Sequence, residues 1–153
     1  MSLVGQPAPN FTLPRDGGTE ITLSEFRTGP VVLYFYPRDD TGGCTKEAIS
    51  FTDLKDDFAA LGTVIIGVSK DSIKKHDNFI AKHDLDVMLA SDADGDTCER
   101  FGVWVKKQMY GRKFMGIERT TFLIASDGTV VNEWRKVKVP GHAEAVLDAV
   151  KAL

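Results

Sequence analysis

An α/β domain with a mixed central sheet flanked by helices is the fold this sequence predicts, and three observations predict it. Two runs dominated by apolar residues, Val31 to Tyr36 and Thr63 to Val68, read as strands buried on both faces. Amphipathic helical patterns follow both, as parallel strands joined by crossover helices require. Pairs of short alternating runs around Asp16-Gly17-Gly18 and Ser126-Asp127-Gly128 read as β-hairpins. A chain of 153 residues fits one domain, spanning 1–153, that buries roughly 70% of its unfolded surface.

The elements follow in order. Met1-Ser2-Leu3 is set aside from the fold reading, and Val4 to Asn10, with Pro7 and Pro9, is an extended entry. Phe11 to Leu13 and Glu20 to Leu23 form the first hairpin. Ser24 is placed to cap one turn ending near Arg27, before Thr28-Gly29-Pro30 breaks it. Strand 31–36 ends at Pro37. From Cys44, the apolar positions Ala48, Ile49, Phe51, Leu54, Phe58 and Leu61 describe one continuous helix with an inner face. Strand 63–68 is followed by a helix from Ser72 to about His83, with Ile73, Phe79 and Ile80 inward. Asp86 to Leu89 is a short strand. A short helix from Asp96 or Thr97 brings Cys98 and Phe101 to one side, and Gly102 stops it. Val105 to Gly116 reads as a long basic loop, Thr120 to Ala125 and Val130 to Trp134 as the second hairpin, and Ala143 to Leu153 as an amphipathic helix. The order β-α-β-α-β-β-α is that of a thioredoxin-like fold with an added N-terminal hairpin.

Composition narrows the function. A net charge of −3 with mixed signs points away from nucleic-acid and membrane-surface binding. No run approaches a membrane span and no signal sequence opens the chain, so a reducing cytoplasm is the expected compartment. Two cysteines, Cys44 and Cys98, make no disulfide framework. Cys44 falls in the first turn of its helix, where unpaired backbone N–H groups and the positive end of the dipole favour a thiolate. A free thiol is only about 3% ionised at neutral pH, so full ionisation gains about thirtyfold and cannot alone make a fast enzyme. The remainder must come from donors that meet charge developing on the substrate. Thr41 and the backbone N–H groups of Gly43 and Cys44 are placed to supply them; a cation must come from elsewhere in the chain.

Pro37-x-x-x-Thr41-x-x-Cys44 resembles the active-site motif of the peroxiredoxins, and Phe35 to Asp39 with Cys44 to Ala48 resembles their bacterioferritin comigratory protein, or Q, branch. The resemblance extends through Gly5 to Phe11, Phe101 to Trp104, Met109 to Gly111 and Gly116 to Ile124. It implies a thioredoxin-like fold and a thiol-dependent peroxidase for hydrogen peroxide and small organic hydroperoxides. Cys44 would attack the peroxide and become a sulfenic acid, with Arg119 supplying the cation, Pro37 shielding the sulfur and Glu47 orienting Arg119 or standing solvated. Thioredoxin, glutaredoxin or a small thiol would be the reductant of a monomer or weak dimer, with no cofactor, metal, nucleic acid or membrane partner.

The chain also departs from the branch. Gly42 stands where proline is usual, and Ile49 where many members carry a second, resolving cysteine. Cys98 reads as a core residue, its alternative a resolving role that needs helices to unravel. A one-cysteine cycle with an external thiol is therefore expected. A redox-sensing domain with an oxidisable Cys44 is the alternative from another class. Disulfide reductase chemistry is disfavoured, since Glu47 stands where Cys-x-x-Cys needs its second thiol. Asp92-x-Asp94-x-Asp96 lacks the glycine and glutamate of a calcium loop and reads as a turn and helix cap. His76 and His83 read as solvated, the loop from Lys106 to Phe114 as a pocket mouth or reductant dock, and Trp104 and Trp134 as packing residues.

Overall fold

The computed structural model describes residues 2–153. The N-terminal hairpin pairs β1 (Thr12–Pro14) with β2 (Glu20–Thr22), Thr12 opposite Thr22. Gly17 and Gly18 take positive φ of 83° and 93° between them, which glycine tolerates without a Cβ penalty. A single turn, Leu23–Glu25, follows. Ser24 does not cap it; it lies inside the turn and donates its backbone N–H to Asn10 Oδ1 at 2.9 Å. Leu3 is part of the fold: its N–H donates to Glu133 Oε1 at 2.9 Å and its side chain packs on the core.

The central sheet has the order β5-β4-β3-β8-β9. Its middle strand β3 (Val31–Phe35) runs parallel to β4 (Val64–Ser69), which runs parallel to β5 (Met88–Ser91). On the other side β3 pairs antiparallel with β8 (Thr120–Ile124), and β8 with β9 (Val130–Trp134). The third parallel strand starts two residues later than its sequence pattern predicts, because Ser91 still pairs with Ser69. The period-two alternation of β3 divides the core. Val31, Leu33 and Phe35 join Phe122, Ile124, Cys98 and Phe101 on one face. Val32, Tyr34 and Tyr36 join Cys44, Phe51, Phe58, Phe79 and Leu147 on the other.

Two further expectations fail for identifiable reasons. The helix after Cys44 is two helices, α1 (Gly42–Asp53) and α2 (Lys55–Ala60), broken at Leu54. Asp53 closes α1 at the end where the dipole disfavours anions, whereas Asp56 and Asp57 stand in the first turn of α2, where it favours them. The segment 105–116 is not a loop. It is the hairpin of β6 (Trp104–Met109) and β7 (Arg112–Ile117) around Tyr110-Gly111, both at positive φ. Both strands are largely exposed, so no apolar alternation marked them. The remaining helices are α3 (Ile73–His83), α4 (Thr97–Arg100) and α5 (His142–Lys151). Ser72 caps α3 by accepting from Lys75 N–H at 3.2 Å. Among the described residues no helix is long and apolar enough to cross a membrane.

Candidate active site

Strand β3 ends where Pro37 removes the next backbone donor, and five residues later α1 begins, so Cys44 lies in its first turn. Cys44 is buried, 1% exposed. The cation reaches it through the sheet. Phe35 pairs with Thr120 in the antiparallel register, which carries Arg119 one step beyond, to the end of β3 where the Cys44 loop departs. Val137 N–H fixes the backbone there by donating to the Arg119 carbonyl at 3.0 Å. Arg119 Nη2 then donates to Cys44 Sγ at 3.4 Å, and Nη1 donates to Glu47 Oε1 at 2.7 Å. One guanidinium thus spans a thiol and a carboxylate on the same helix face, which its planar fork permits and a lysine would not. A Cβ on Gly43 would sit 3.0 Å from Nη2, so glycine leaves room for the arginine.

Glu47 is 1% exposed, and its Oε2 is buried without a hydrogen-bond partner. Burial pushes its carboxyl up to about 7, against the opposing pull of Arg119. Burial works against the charge of Arg119, but Glu47 and Cys44 more than offset it and hold the guanidinium above its ordinary value. Beneath them, His142 meets Thr121 Oγ1 at 2.8 Å; burial first, and then the charge of Arg119, drives its imidazole down to about 4, so it is neutral at physiological pH. Beside this centre opens a cleft of about 800 Å³, bordered by Pro37, Arg38 and Thr41 and walled by Trp104, Lys107, Met109, Phe114, Met115 and Ile117. Burial, with Arg119 next, holds Lys107 below the ordinary lysine range.

A buried cysteine, a guanidinium on its sulfur and a cleft at its loop are thus brought together, in a chain that resembles known proteins over nearly its whole length. The sequence profile of the AhpC/TSA family matches residues 4–133. Peroxiredoxin Bcp of Xanthomonas campestris is 50% identical over 148 residues, 95% of this chain and 92% of its own. Peroxiredoxin Bcp of Bacillus subtilis is 47% identical, with 97% and 94% covered. The chain belongs to the AhpC/TSA family. It is a peroxiredoxin, an enzyme that reduces peroxides at the expense of thiols. A structure of the Xanthomonas campestris bacterioferritin comigratory protein, studied for its alkyl peroxide reduction, superposes with a TM-score of 0.88 at 48% identity, covering 93% of this chain and 90% of that one.

In this peroxiredoxin the structure brings Cys44, Arg119 and Glu47 into contact, with Gly43 beside them. Pro37 and Thr41 stand at the cleft rather than on the sulfur: the Thr41 hydroxyl donates to the Arg38 carbonyl at 3.1 Å. Cys98 lies apart, 0% exposed, in the cluster on the other sheet face. Burial and the neighbouring Asp92 push its thiol well above the ordinary range. Asp92 accepts from Thr97 N–H at 3.2 Å and Cys98 N–H at 2.8 Å, so the acidic triplet is a turn that caps α4 through its first member. Trp104 and Trp134 both pack on the core, Trp104 beneath Lys70 and Trp134 edge-on to His142. His76 is not solvated. It is 0% exposed and bonded to Asp39, a pair the sequence reading missed. The signal was available: His76 lies three residues after Ile73 and three before Phe79, on the inner face.

Proposed function

We propose that this peroxiredoxin reduces hydrogen peroxide and alkyl hydroperoxides through a one-cysteine cycle at Cys44. The observation that carries the reading is the contact of Arg119 Nη2 with Cys44 Sγ, its other arm fixed by buried Glu47. The Cys44 thiolate attacks one peroxide oxygen in line with the O–O bond. That bond breaks, the departing oxygen takes a proton and leaves as water or an alcohol, and sulfur keeps the other oxygen as a sulfenic acid. Arg119 stabilises the thiolate and meets the charge that develops on the oxygens. The Thr41 hydroxyl, whose hydrogen is on the Arg38 carbonyl, keeps lone pairs to accept from the peroxide O–H. Pro37 limits the approach of water.

The apolar wall of the cleft favours an alkyl group on the peroxide, in keeping with the alkyl peroxide reduction of the Xanthomonas campestris relative. Burial on the opposite sheet face and a raised thiol keep Cys98 from resolving the sulfenic acid. An external thiol attacks it instead, releasing water and leaving a mixed disulfide that a second thiol clears. Thioredoxin, glutaredoxin or a small thiol meets this need, approaching over the exposed rim of Met109, Tyr110 and Phe114.

The intact mass of the reduced protein after one equivalent of hydrogen peroxide, without added thiol, tests the reading. One added oxygen, abolished in Cys44→Ser, is expected. Loss of two hydrogens overturns the one-cysteine cycle in favour of a Cys44–Cys98 disulfide. An unchanged mass overturns the assignment of Cys44.

A further inference from the structure

The loop from Pro37 to Thr41 is fastened at its middle to α3. Asp39 lies between Pro37 and Arg38 on one side and Thr41 on the other, all three bordering the cleft, and its side chain points inward, 8% exposed. Its Oδ1 accepts from Tyr36 Oη at 2.6 Å, its Oδ2 lies 2.6 Å from His76 Nδ1, and its backbone N–H donates to Asp71 Oδ2 at 2.8 Å. The far nitrogen of the ring, Nε2, lies 2.9 Å from the Ala90 carbonyl of β5. A carbonyl oxygen only accepts, so Nε2 carries a hydrogen. A neutral ring of that tautomer would aim its Nδ1 lone pair at a carboxylate oxygen 2.6 Å away. Two acceptors at that distance repel, so a further proton lies between His76 and Asp39.

We propose that this shared proton is a clasp holding the Pro37–Thr41 loop in its working geometry, and that His76 and Asp39 are positioning residues for peroxide reduction. The inference rests on Cys44 being the attacking thiol. Neither residue touches the sulfur; they act through the loop. A second, exposed tie supports the same clasp, since Asp40 meets Lys82 at 2.7 Å and His83 at 2.8 Å on α3.

The charge balance favours the proton. Burial opposes the imidazolium, but the hydrogen bond and charge of Asp39, the Ala90 carbonyl and the charge of Asp71 outweigh it, and His76 titrates above its ordinary value. The titratable neighbours are therefore Asp39 on the loop, Asp71 after β4 and Tyr36 at the end of β3. Burial raises Tyr36 well above its ordinary value, so it remains a donor. Because the folded value is raised, the clasp is complete at low pH and is lost as pH rises through it.

Two variants test this against peroxide. His76→Phe keeps a planar ring but removes both donors. Its second-order rate with hydrogen peroxide should fall about a hundredfold, the cost of a misplacement of about 1 Å. Alkylation of Cys44 by iodoacetamide, which needs no Thr41 or Pro37, should stay within about threefold of wild type. Asp39→Asn replaces the shared proton by an amide N–H donated to neutral Nδ1, so the loop stays fastened without a titrating group. This variant should keep the wild-type rate within about threefold at neutral pH and lack the alkaline fall expected of wild type as the clasp loses its proton. A folded His76→Phe with the wild-type peroxide rate overturns the clasp, as does an alkaline profile that Asp39→Asn shares. Should His76→Phe fail to fold, the Asp39→Asn profile decides alone. Wild-type protein inert towards peroxide overturns the assignment of Cys44 itself, a result separate from unaffected variants of an active enzyme.

Discussion

Glu47→Gln probes the charge balance beneath Cys44. Burial lifts the Glu47 carboxyl from 4.5 to about 7 despite Arg119. Between those values the unfolded chain has released a proton that the folded chain keeps. This group's stabilisation is therefore fully present below its unfolded value and is lost as pH rises through about 7. Integrated from about pH 5 to about pH 8, at about 1.36 kcal/mol per unit, the loss is about 2–3 kcal/mol. Glutamine has no such proton. The unfolding free energy of Glu47→Gln relative to wild type should therefore move by about 2–3 kcal/mol in the variant's favour across that range, or roughly 5–10 °C in midpoint for a domain of this size. Urea unfolding of the reduced protein at the two pH values measures it. Activity should move the opposite way: the amide oxygen still accepts from Nη1 but without the counter-charge, and peroxide reduction should fall about tenfold. A stability difference that stays constant with pH would refute a carboxyl raised by burial.

Three further outcomes follow from the geometry. Arg119→Lys reaches Glu47 or Cys44 but not both, so stopped-flow peroxide reduction should slow about a hundredfold with the circular dichroism unchanged. Cys98→Ser should turn over at about the wild-type rate with a small thiol supplied; a loss as deep as that of Cys44→Ser, in a folded protein, would make Cys98 the resolving thiol. Asp92→Ala strips the cap from Thr97 and Cys98 N–H in a fully buried site, and denaturant unfolding should show a cost of about 2 kcal/mol.

Much of this protein is determined by its sequence alone. Buried parallel strands announce themselves as unbroken apolar runs, which is why 31–36 and 63–68 were legible to within a residue or so of their ends. A cysteine three residues after a threonine, beyond a strand-ending proline, marks Cys44 as the candidate reactive thiol through local chemistry. The β6–β7 hairpin was illegible because neither strand buries a continuous face, so no period-two pattern records it. The break at Leu54 leaves the apolar spacing on one face unchanged and shows only in the placement of the acidic residues around it.

What the tertiary structure decided is which charges meet. Arg119 reaches Cys44 only because antiparallel pairing of β8 with β3 brings residues distant in the chain to one end of the sheet. Cys98 lies apart from Cys44 because α1 and α4, which carry them, pack their side chains on opposite faces of that sheet, a placement that no spacing encodes. His76 reads in the sequence as a solvated imidazole, and nothing there joins it to Asp39. Folded together out of water, they share a proton, because in a buried site an acceptor facing an acceptor costs more than a proton retained.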